Sequence, residues 1–140
     1  MAMTMHVDIV SAEREIFSGT AEMLFAPLAT GEVGVLPRHA PLIARMKPGE
    51  VRVRTATEEL EFYVSGGLLE IQPHVVTVLA DTAARAKDLD EAAAQAAKQR
   101  AEEALKSRQS DIDYAKAMAE LAEAVAQLRA ISRLRDKSKR

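Results

Sequence analysis

Hydrophobic and polar positions follow two different periods along the chain. Before about residue 82, short runs rich in β-branched residues alternate with turns containing Gly or Pro. The run VRVRT shows strict two-residue alternation, which places Val51 and Val53 inside a sheet and Arg52 and Arg54 outside it. Many short strands at close spacing predict an antiparallel sandwich or barrel.

A helical period replaces this alternation after Asp88, where the sequence contains neither Gly nor Pro. Asp88 followed by Glu91 predicts an N-cap with its capping-box partner. The pattern predicts one helix over about residues 89–106 and a second over about 111–135, joined as an antiparallel hairpin.

In the second helix, large apolar residues recur at alternating spacings of four and three residues, which predicts an apolar seam along one face. Its members are Tyr114, Met118, Leu121, Val125 and Leu128. The first helix offers mostly alanine as its partner face, and alanine buries little area at roughly 25 cal/mol per Å² of apolar surface. The contact between the two helices is therefore expected to be only marginally stable. A conformational switch requires such a contact, but many small helical pairs also have one.

The change of period predicts two domains, a β domain over 1–86 and a helical domain over 87–140. The first carries 7 basic and 11 acidic side chains, for a net charge of −4, and the second carries 12 and 10, for a net charge of +2. The last dozen residues hold six basic residues and one acid. A basic tail on an otherwise acidic protein predicts an acidic partner.

Composition excludes several function classes. The 140 residues include no Cys, which rules out disulfides, thiolate zinc sites and cysteine catalysis. Aromatic residues make up 4% with no Trp, which argues against a nucleic-acid stacking surface. The first ten residues lack the pattern of a signal peptide, and no apolar run approaches the roughly 18 residues of a membrane span. We therefore expect a soluble, cytosolic protein, at most peripheral to a membrane.

Candidate catalytic chemistry is sparse. His6, His39 and His74 lie far apart in sequence, with no neighbour at ligand spacing, so no metal site is expected. The stretch around Ser65 lacks the G-x-S-x-G nucleophile elbow, and no phosphate-binding glycine motif is present. We expect no catalytic residues.

The stretch GEVGVLPRHAP, residues 31–41, is the most unusual local sequence. Its glycines permit unusual φ angles and its prolines fix φ, which predicts a stiff protrusion carrying Glu32, Arg38 and His39. Two interpretations stay open: an ordinary loop between strands, or a preordered contact surface that loses little entropy on docking.

Taken in order, several motifs resemble one known family. They are DIVSAEREIFSG, GEVGVLPRHAPL, SGGLLEIQP and VTVLADTA, followed by the Ala-rich helices. Over about residues 3–134 the chain resembles the epsilon subunit of the bacterial F-type ATP synthase. The resemblance implies a β-sandwich of about ten strands followed by a two-helix hairpin. It also implies a non-catalytic rotor subunit that couples the gamma subunit to the c ring and inhibits ATP hydrolysis through its C-terminal helices.

The resemblance also implies roles for particular residues. Glu32 resembles the family's contact with the polar loops of the c ring, and Arg38 and His39 lie in the same region, although the family usually has Gly where this chain has Arg38. The basic residues of the last helix would meet acidic segments of the beta subunits within the alpha–beta hexamer. Those residues are Arg129, Arg133, Arg135 and Lys137. The expected location is the cytoplasmic face of the bacterial inner membrane.

Some members of this family bind ATP through the motif Ile/Leu-Asp-x-x-Arg-Ala. Here Asp90 is present but Ala93 occupies the arginine position, so phosphate neutralisation is poorer. Arg100, Arg129 and Arg133 could contribute to a weak site. We therefore expect no cofactor and weak or absent ATP binding.

Two alternatives belong to other function classes. A generic adaptor with a sandwich and a helical hairpin would bind an acidic protein or membrane surface through its basic tail. A small enzyme would need a pocket with convergent titratable groups.

Overall fold

The computed structural model of the protein describes residues 3–107 and 111–138 and divides into two compact units between Arg85 and Ala86. Within the described residues, the first unit contains ten strands. They are β1 (Met5–Ser11), β2 (Glu15–Ala21), β3 (Met23–Leu28), β4 (Gly31–Val35), β5 (Leu42–Met46), β6 (Gly49–Arg54), β7 (Glu59–Val64), β8 (Gly67–Ile71), β9 (Val75–Ala80) and β10 (Ala83–Arg85).

The strands form one continuous sheet in the order β10-β7-β6-β3-β5-β8-β9-β1-β2, with β4 paired to β3. All pairs are antiparallel except β1 with β9, which run parallel. The predicted sandwich is therefore confirmed, but the purely antiparallel sheet is not. Turn residues specify hairpins between neighbouring strands, whereas the β1–β9 pairing joins segments about 70 residues apart.

The core lies between the two halves of this folded sheet. Alternate residues of the strands point inward, as predicted for Val51 and Val53, which are fully buried. Phe17 on β2 and Phe62 on β7 meet with ring centroids 5.5 Å apart, so strands distant in the sheet order face one another. The buried apolar side chains of the strands form one hydrophobic cluster. Every residue of this hydrophobic cluster belongs to the first unit, which therefore has a complete core of its own.

The second unit begins with a short 3-10 turn, Ala86–Asp88, followed by α1 (Glu91–Lys106) and α2 (Asp111–Ser138). The prediction of Asp88 as the N-cap was wrong. The Asp90 carboxylate caps α1 by accepting the backbone N–H of Ala93 at 3.2 Å, because the 3-10 turn already includes Asp88. Neither helix, over the residues described, is both long and apolar enough to cross a membrane.

Alanines form the buried positions of both helices. Ala94 and Ala101 on α1 and Ala117 and Ala124 on α2 are almost fully buried. Within each helix the two positions are spaced by seven residues, about two turns, so they lie on one face of that helix.

The predicted apolar seam on α2 therefore coincides only in part with its buried face. Tyr114 and Met118 are 38% and 44% exposed, and Leu121, Val125 and Leu128 are half-buried. Small side chains let two helix axes approach closely, which favours alanine over larger residues at the contact between helices.

Candidate functional site

The candidate docking residue Glu32 lies near the start of β4, directly after the tight turn that joins β3 to β4. In the ladder it stands opposite Pro27. Its side chain is 48% exposed, and its Oε1 accepts a hydrogen bond from Nη2 of Arg52 at 2.9 Å. The carboxylate is therefore accessible to a partner but already oriented by a neighbouring strand.

Arg38 and His39 lie in the loop that follows the other end of β4. Arg38 donates its backbone N–H to Pro73 in the β8–β9 turn at 2.8 Å, and its φ is +67°. This left-handed conformation is one that glycine adopts readily and that other residues adopt at an energetic cost. The loop thus keeps a glycine-like backbone although its residue is arginine.

His39 is held by its own loop. Its backbone N–H donates to Leu36 at 3.1 Å, and its Nδ1 donates to the carbonyl oxygen of Ala40 at 2.7 Å. The structure therefore brings Arg38 and His39 together, beside the β8–β9 turn. It does not bring them to Glu32, which contacts β6 from the opposite end of β4.

A Ser–His–Asp cluster that sequence reasoning missed lies on the outer face of β1 and β2. Asp8 Oδ1 accepts hydrogen bonds from Ser18 Oγ at 2.7 Å and from His6 Nε2 at 2.9 Å. The Ser18 hydrogen bond, followed by the hydrogen bond and charge of His6, lowers the pKa of Asp8 against the opposing effect of desolvation. The i, i+2 spacing of His6 and Asp8, together with the β1–β2 hairpin register, was the available signal.

This cluster is not a nucleophilic triad. In a hydrolytic triad the serine hydroxyl donates to an imidazole nitrogen and the carboxylate holds the other ring nitrogen. Here Ser18 Oγ does lie 3.1 Å from His6 Nε2, but that same nitrogen donates to Asp8 Oδ1, so it cannot accept the serine proton. The serine hydroxyl instead donates to Asp8 Oδ1 in the shorter contact of 2.7 Å. The arrangement ties β1 to β2 and activates no nucleophile.

The open end of the helical hairpin contains an ion pair between Glu91 and Arg135. Glu91 is in the first turn of α1 and Arg135 is in the last turn of α2. An acid near a helix N-terminus and a base near a helix C-terminus each complement the helix dipole. Both side chains are about half exposed, so solvent and salt screen their attraction.

The four basic residues assigned to beta-subunit contact divide between two faces of α2. Arg129, Arg133 and Lys137 recur every four residues and therefore form one exposed stripe. Arg135 lies away from this stripe, where it meets Glu91.

The candidate nucleotide residues lie on both helices. Asp90 is occupied as the α1 cap, and Arg100 lies ten residues further along α1, about 15 Å at 1.5 Å per residue. Arg129 and Arg133 belong to the exposed stripe of α2. Arg135 reaches the start of α1 through its ion pair with Glu91.

An open depression of about 390 Å³ is bordered by Arg45, Gly66, Gly67 and Asp81, with one acidic and one basic side chain. The residues that the structure describes contain no group of three or more metal-ligating side chains.

Comparisons with known proteins match both units. The β-sandwich domain of the ATP synthase delta/epsilon chain matches residues 4–86, and its long α-helix domain matches residues 87–132. The ATP synthase epsilon chain of Nitrosococcus oceani is 74% identical over 138 residues, covering 98% of this chain and 99% of the relative. That of Thioalkalivibrio sulfidiphilus is 66% identical, covering 96% and 97%.

Solved structures share the fold at low sequence identity. A chain of the Euglena gracilis mitochondrial ATP synthase, in an OSCP/F1/c-ring structure, aligns with a TM-score of 0.82 and 17% identity, covering 91% of this chain and 81% of that chain. A chain of the Tetrahymena thermophila central stalk/c-ring structure aligns with a TM-score of 0.66 and 12% identity, covering 92% and 97%. Because both domain matches and full-length relatives agree with the resemblance in the sequence, the chain belongs to the ATP synthase delta/epsilon chain family, among its epsilon chains.

Proposed function

We propose that this chain is a non-catalytic subunit of the central stalk of an F-type ATP synthase. Its sandwich would couple the gamma subunit to the c ring during ATP synthesis, and its helices would restrain ATP hydrolysis by the alpha and beta subunits. The assembled complex would hold it at the cytoplasmic face of the bacterial inner membrane. Family membership and the different construction of the two units support this proposal.

The observation that carries the proposal is the contrast between the two cores. The sandwich buries large side chains from both halves of its sheet, including Phe62, Ile9 and Leu24. The hairpin instead buries alanines and holds its open end with a half-exposed ion pair. A rigid unit suits torque-bearing contacts, whereas a hairpin with little buried area can exchange between two arrangements at small free-energy differences.

The proposal assigns catalysis to partner subunits. The Ser18–His6–Asp8 cluster lacks the geometry of a nucleophile and base, because His6 Nε2 donates to Asp8 and is not free to accept the serine proton. ATP binding to this chain would be weak, because Ala93 supplies no guanidinium and the carboxylate of Glu91 would repel phosphate. Titration calorimetry of the isolated chain with ATP would contradict this expectation if it gave micromolar affinity.

The decisive assay is ATP hydrolysis by an epsilon-free alpha–beta–gamma complex titrated with this protein. The matched comparison is a version ending at Ala86, which retains every residue of the hydrophobic cluster. A second comparison replaces Arg129, Arg133 and Lys137 with Gln in the full chain, which removes the exposed basic stripe and leaves the Glu91–Arg135 pair in place.

We expect the full chain to inhibit hydrolysis, the truncated version to bind the complex without inhibiting it, and the stripe variant to inhibit more weakly and with less dependence on salt. Equal activity with the full chain and the truncated version would contradict the inhibitory role. Failure of both to bind gamma would contradict the rotor assignment. Binding to anionic liposomes that is lost with the truncation would instead favour the adaptor alternative.

A further inference from the structure

An arginine on β6 pairs with a carboxylate on a strand that is not a neighbour of β6 in the sheet. Arg52 lies on β6 and Glu32 on β4, and β3 runs between these strands. Two strand spacings amount to about 9.5 Å between backbones. Nη2 of Arg52 nevertheless lies 2.9 Å from Oε1 of Glu32, so the extended arginine side chain crosses the intervening strand.

The outer surface of β3 provides the path. Phe25 pairs with Gly34 on one side and with Arg52 on the other, and all three lie in one row across the sheet. The guanidinium carbon of Arg52 is 4.3 Å from the Phe25 ring centroid, a cation–π distance. Gly34 has no side chain, and a Cβ at this position would lie 3.4 Å from the Phe25 ring, so the glycine leaves room for the ring in this row.

A second carboxylate holds the guanidinium from the opposite side. Glu59 on β7 lies with Oε1 3.8 Å from Nη1 of Arg52. The guanidinium is thus fixed by Glu32, Glu59 and the Phe25 ring, and its side chain is 29% exposed. Arginine suits this position because its planar fork can bond a carboxylate and stack on a ring at the same time.

The contact leaves half of the Glu32 carboxylate available. Its Oε1 is bonded by Arg52, whereas its Oε2 has no partner in the part of the chain that the structure describes. The side chain is about half exposed. Glu32 therefore presents one oriented acceptor oxygen toward solvent, with its rotamer restrained by a residue two strands away.

We infer that Arg52 is a positioning residue for docking through Glu32, an inference that rests on the proposed function. Arg52 orders the carboxylate before binding, so that a hydrogen-bond donor on a polar loop of the c ring meets an acceptor that loses little side-chain entropy. In this role Arg52 does not contact the c ring itself. It acts through Glu32.

The test uses the full chain assembled with the alpha–beta–gamma complex and measures its binding to membranes that carry the c ring and lack the catalytic sector. Five variants are compared: Arg52→Gln, Arg54→Gln, Glu32→Gln, the double variant with Arg52→Gln and Glu32→Gln, and the swap Glu32→Arg with Arg52→Glu. Arg54→Gln is the matched control, because it removes an arginine from the same face of β6 that lies 5.9 Å from the Phe25 ring and makes no ion pair with Glu32.

We expect Arg52→Gln and Glu32→Gln each to weaken membrane binding by about tenfold, and the double Gln variant to be no weaker than either alone, because the two residues act as one unit. Arg54→Gln should bind like the unchanged chain. The swap restores an ion pair, and with it the midpoint of urea unfolding, but moves the carboxylate away from position 32. Its membrane binding should therefore stay weak, which a purely stabilising role for Arg52 does not predict.

The possible failures are distinguishable. Unchanged binding by Arg52→Gln together with weakened binding by Glu32→Gln overturns the positioning role and leaves the docking surface intact. Full binding by the swap also overturns it. Unchanged binding by Glu32→Gln overturns the positioning role together with docking of the proposed rotor subunit through this carboxylate.

Discussion

Two glycines share almost the same φ angle in different surroundings, which allows the strain of a positive φ to be separated from steric clash. Gly31 has φ +134° and Gly67 has φ +132°. A Cβ at position 31 would meet nothing within 4 Å, whereas a Cβ at position 67 would lie 2.1 Å from the carbonyl oxygen of Leu79 and 2.9 Å from Cα of Ala80. Both atoms are backbone of β9, so no side-chain rotation relieves the clash.

The expected magnitudes follow from these contacts. Gly31→Ala adds only the unfavourable dihedral, about 1–3 kcal/mol. Gly67→Ala adds the same strain and forces β8 and β9 apart by roughly 1 Å at the point where Gly67 pairs with Ala80. Overpacking of this kind adds about 1–3 kcal/mol more, for a total of about 4 kcal/mol.

The assay is urea unfolding of versions ending at Ala86, followed by tyrosine fluorescence. In this version Tyr63 is the only tyrosine and it is buried in the sandwich. Unchanged slopes of free energy against urea would show that the midpoints report stability. Equal losses of unfolding free energy in the two variants would refute the reasoning, because the clash at position 67 would then contribute nothing.

Three further predictions concern single side chains. Arg38→Gly should raise the unfolding free energy by about 1 kcal/mol in urea titration, because glycine removes the strain of φ +67° and keeps the N–H bond to Pro73; an unchanged or lower value would contradict this. Glu91→Gln should reduce the salt dependence of helix melting measured by circular dichroism, whereas Glu102→Gln, which breaks a pair within α1, should leave it nearly unchanged. Ser18→Ala should raise the pKa of Asp8, because the hydrogen bond from Ser18 stabilises the carboxylate. The variant should therefore lose unfolding free energy at neutral pH, but lose none from this carboxyl below the folded-state pKa of Asp8, where the group is protonated. Equal losses at neutral and at acidic pH would contradict this role of the hydrogen bond.

The helical half shows which local signals were sufficient. The alanine-rich stretch without Gly or Pro predicted two helices, and both are present, with α2 ending at Ser138 instead of about residue 135. The N-cap was misplaced by two residues because Asp88 and Asp90 both carry capping side chains, and only the 3-10 turn before α1 distinguishes them. The seam was only partly correct, because hydrophobic size predicts burial only when the distance between helix axes is known.

For the candidate site, too, local sequence predicted some features and strand order decided others. Glu32 and His39 are close in sequence, and local residue types marked their stretch as unusual. Which elements they face depends on strand order, since β3 lies between β4 and β6, and the β8–β9 turn approaches the loop of Arg38. The contacts of Arg52 with Glu32, and of Ser18 with Asp8, are cross-strand contacts that no spacing along the chain specifies.

The sequence by itself determined the two periods, the strand-rich and helical halves, the inward residues of β6 and the family. These properties follow from short-range alternation and from a series of motifs, both of which are readable along one dimension. Only the tertiary structure decided the parallel β1–β9 pair, the alanine contact between the helices, the Glu91–Arg135 pair and the bridge from Arg52 to Glu32. The bridge, the ion pair and the strand pair join groups that are separated by 20, 44 and about 70 residues, and their proximity arises only when the sheet and the hairpin close.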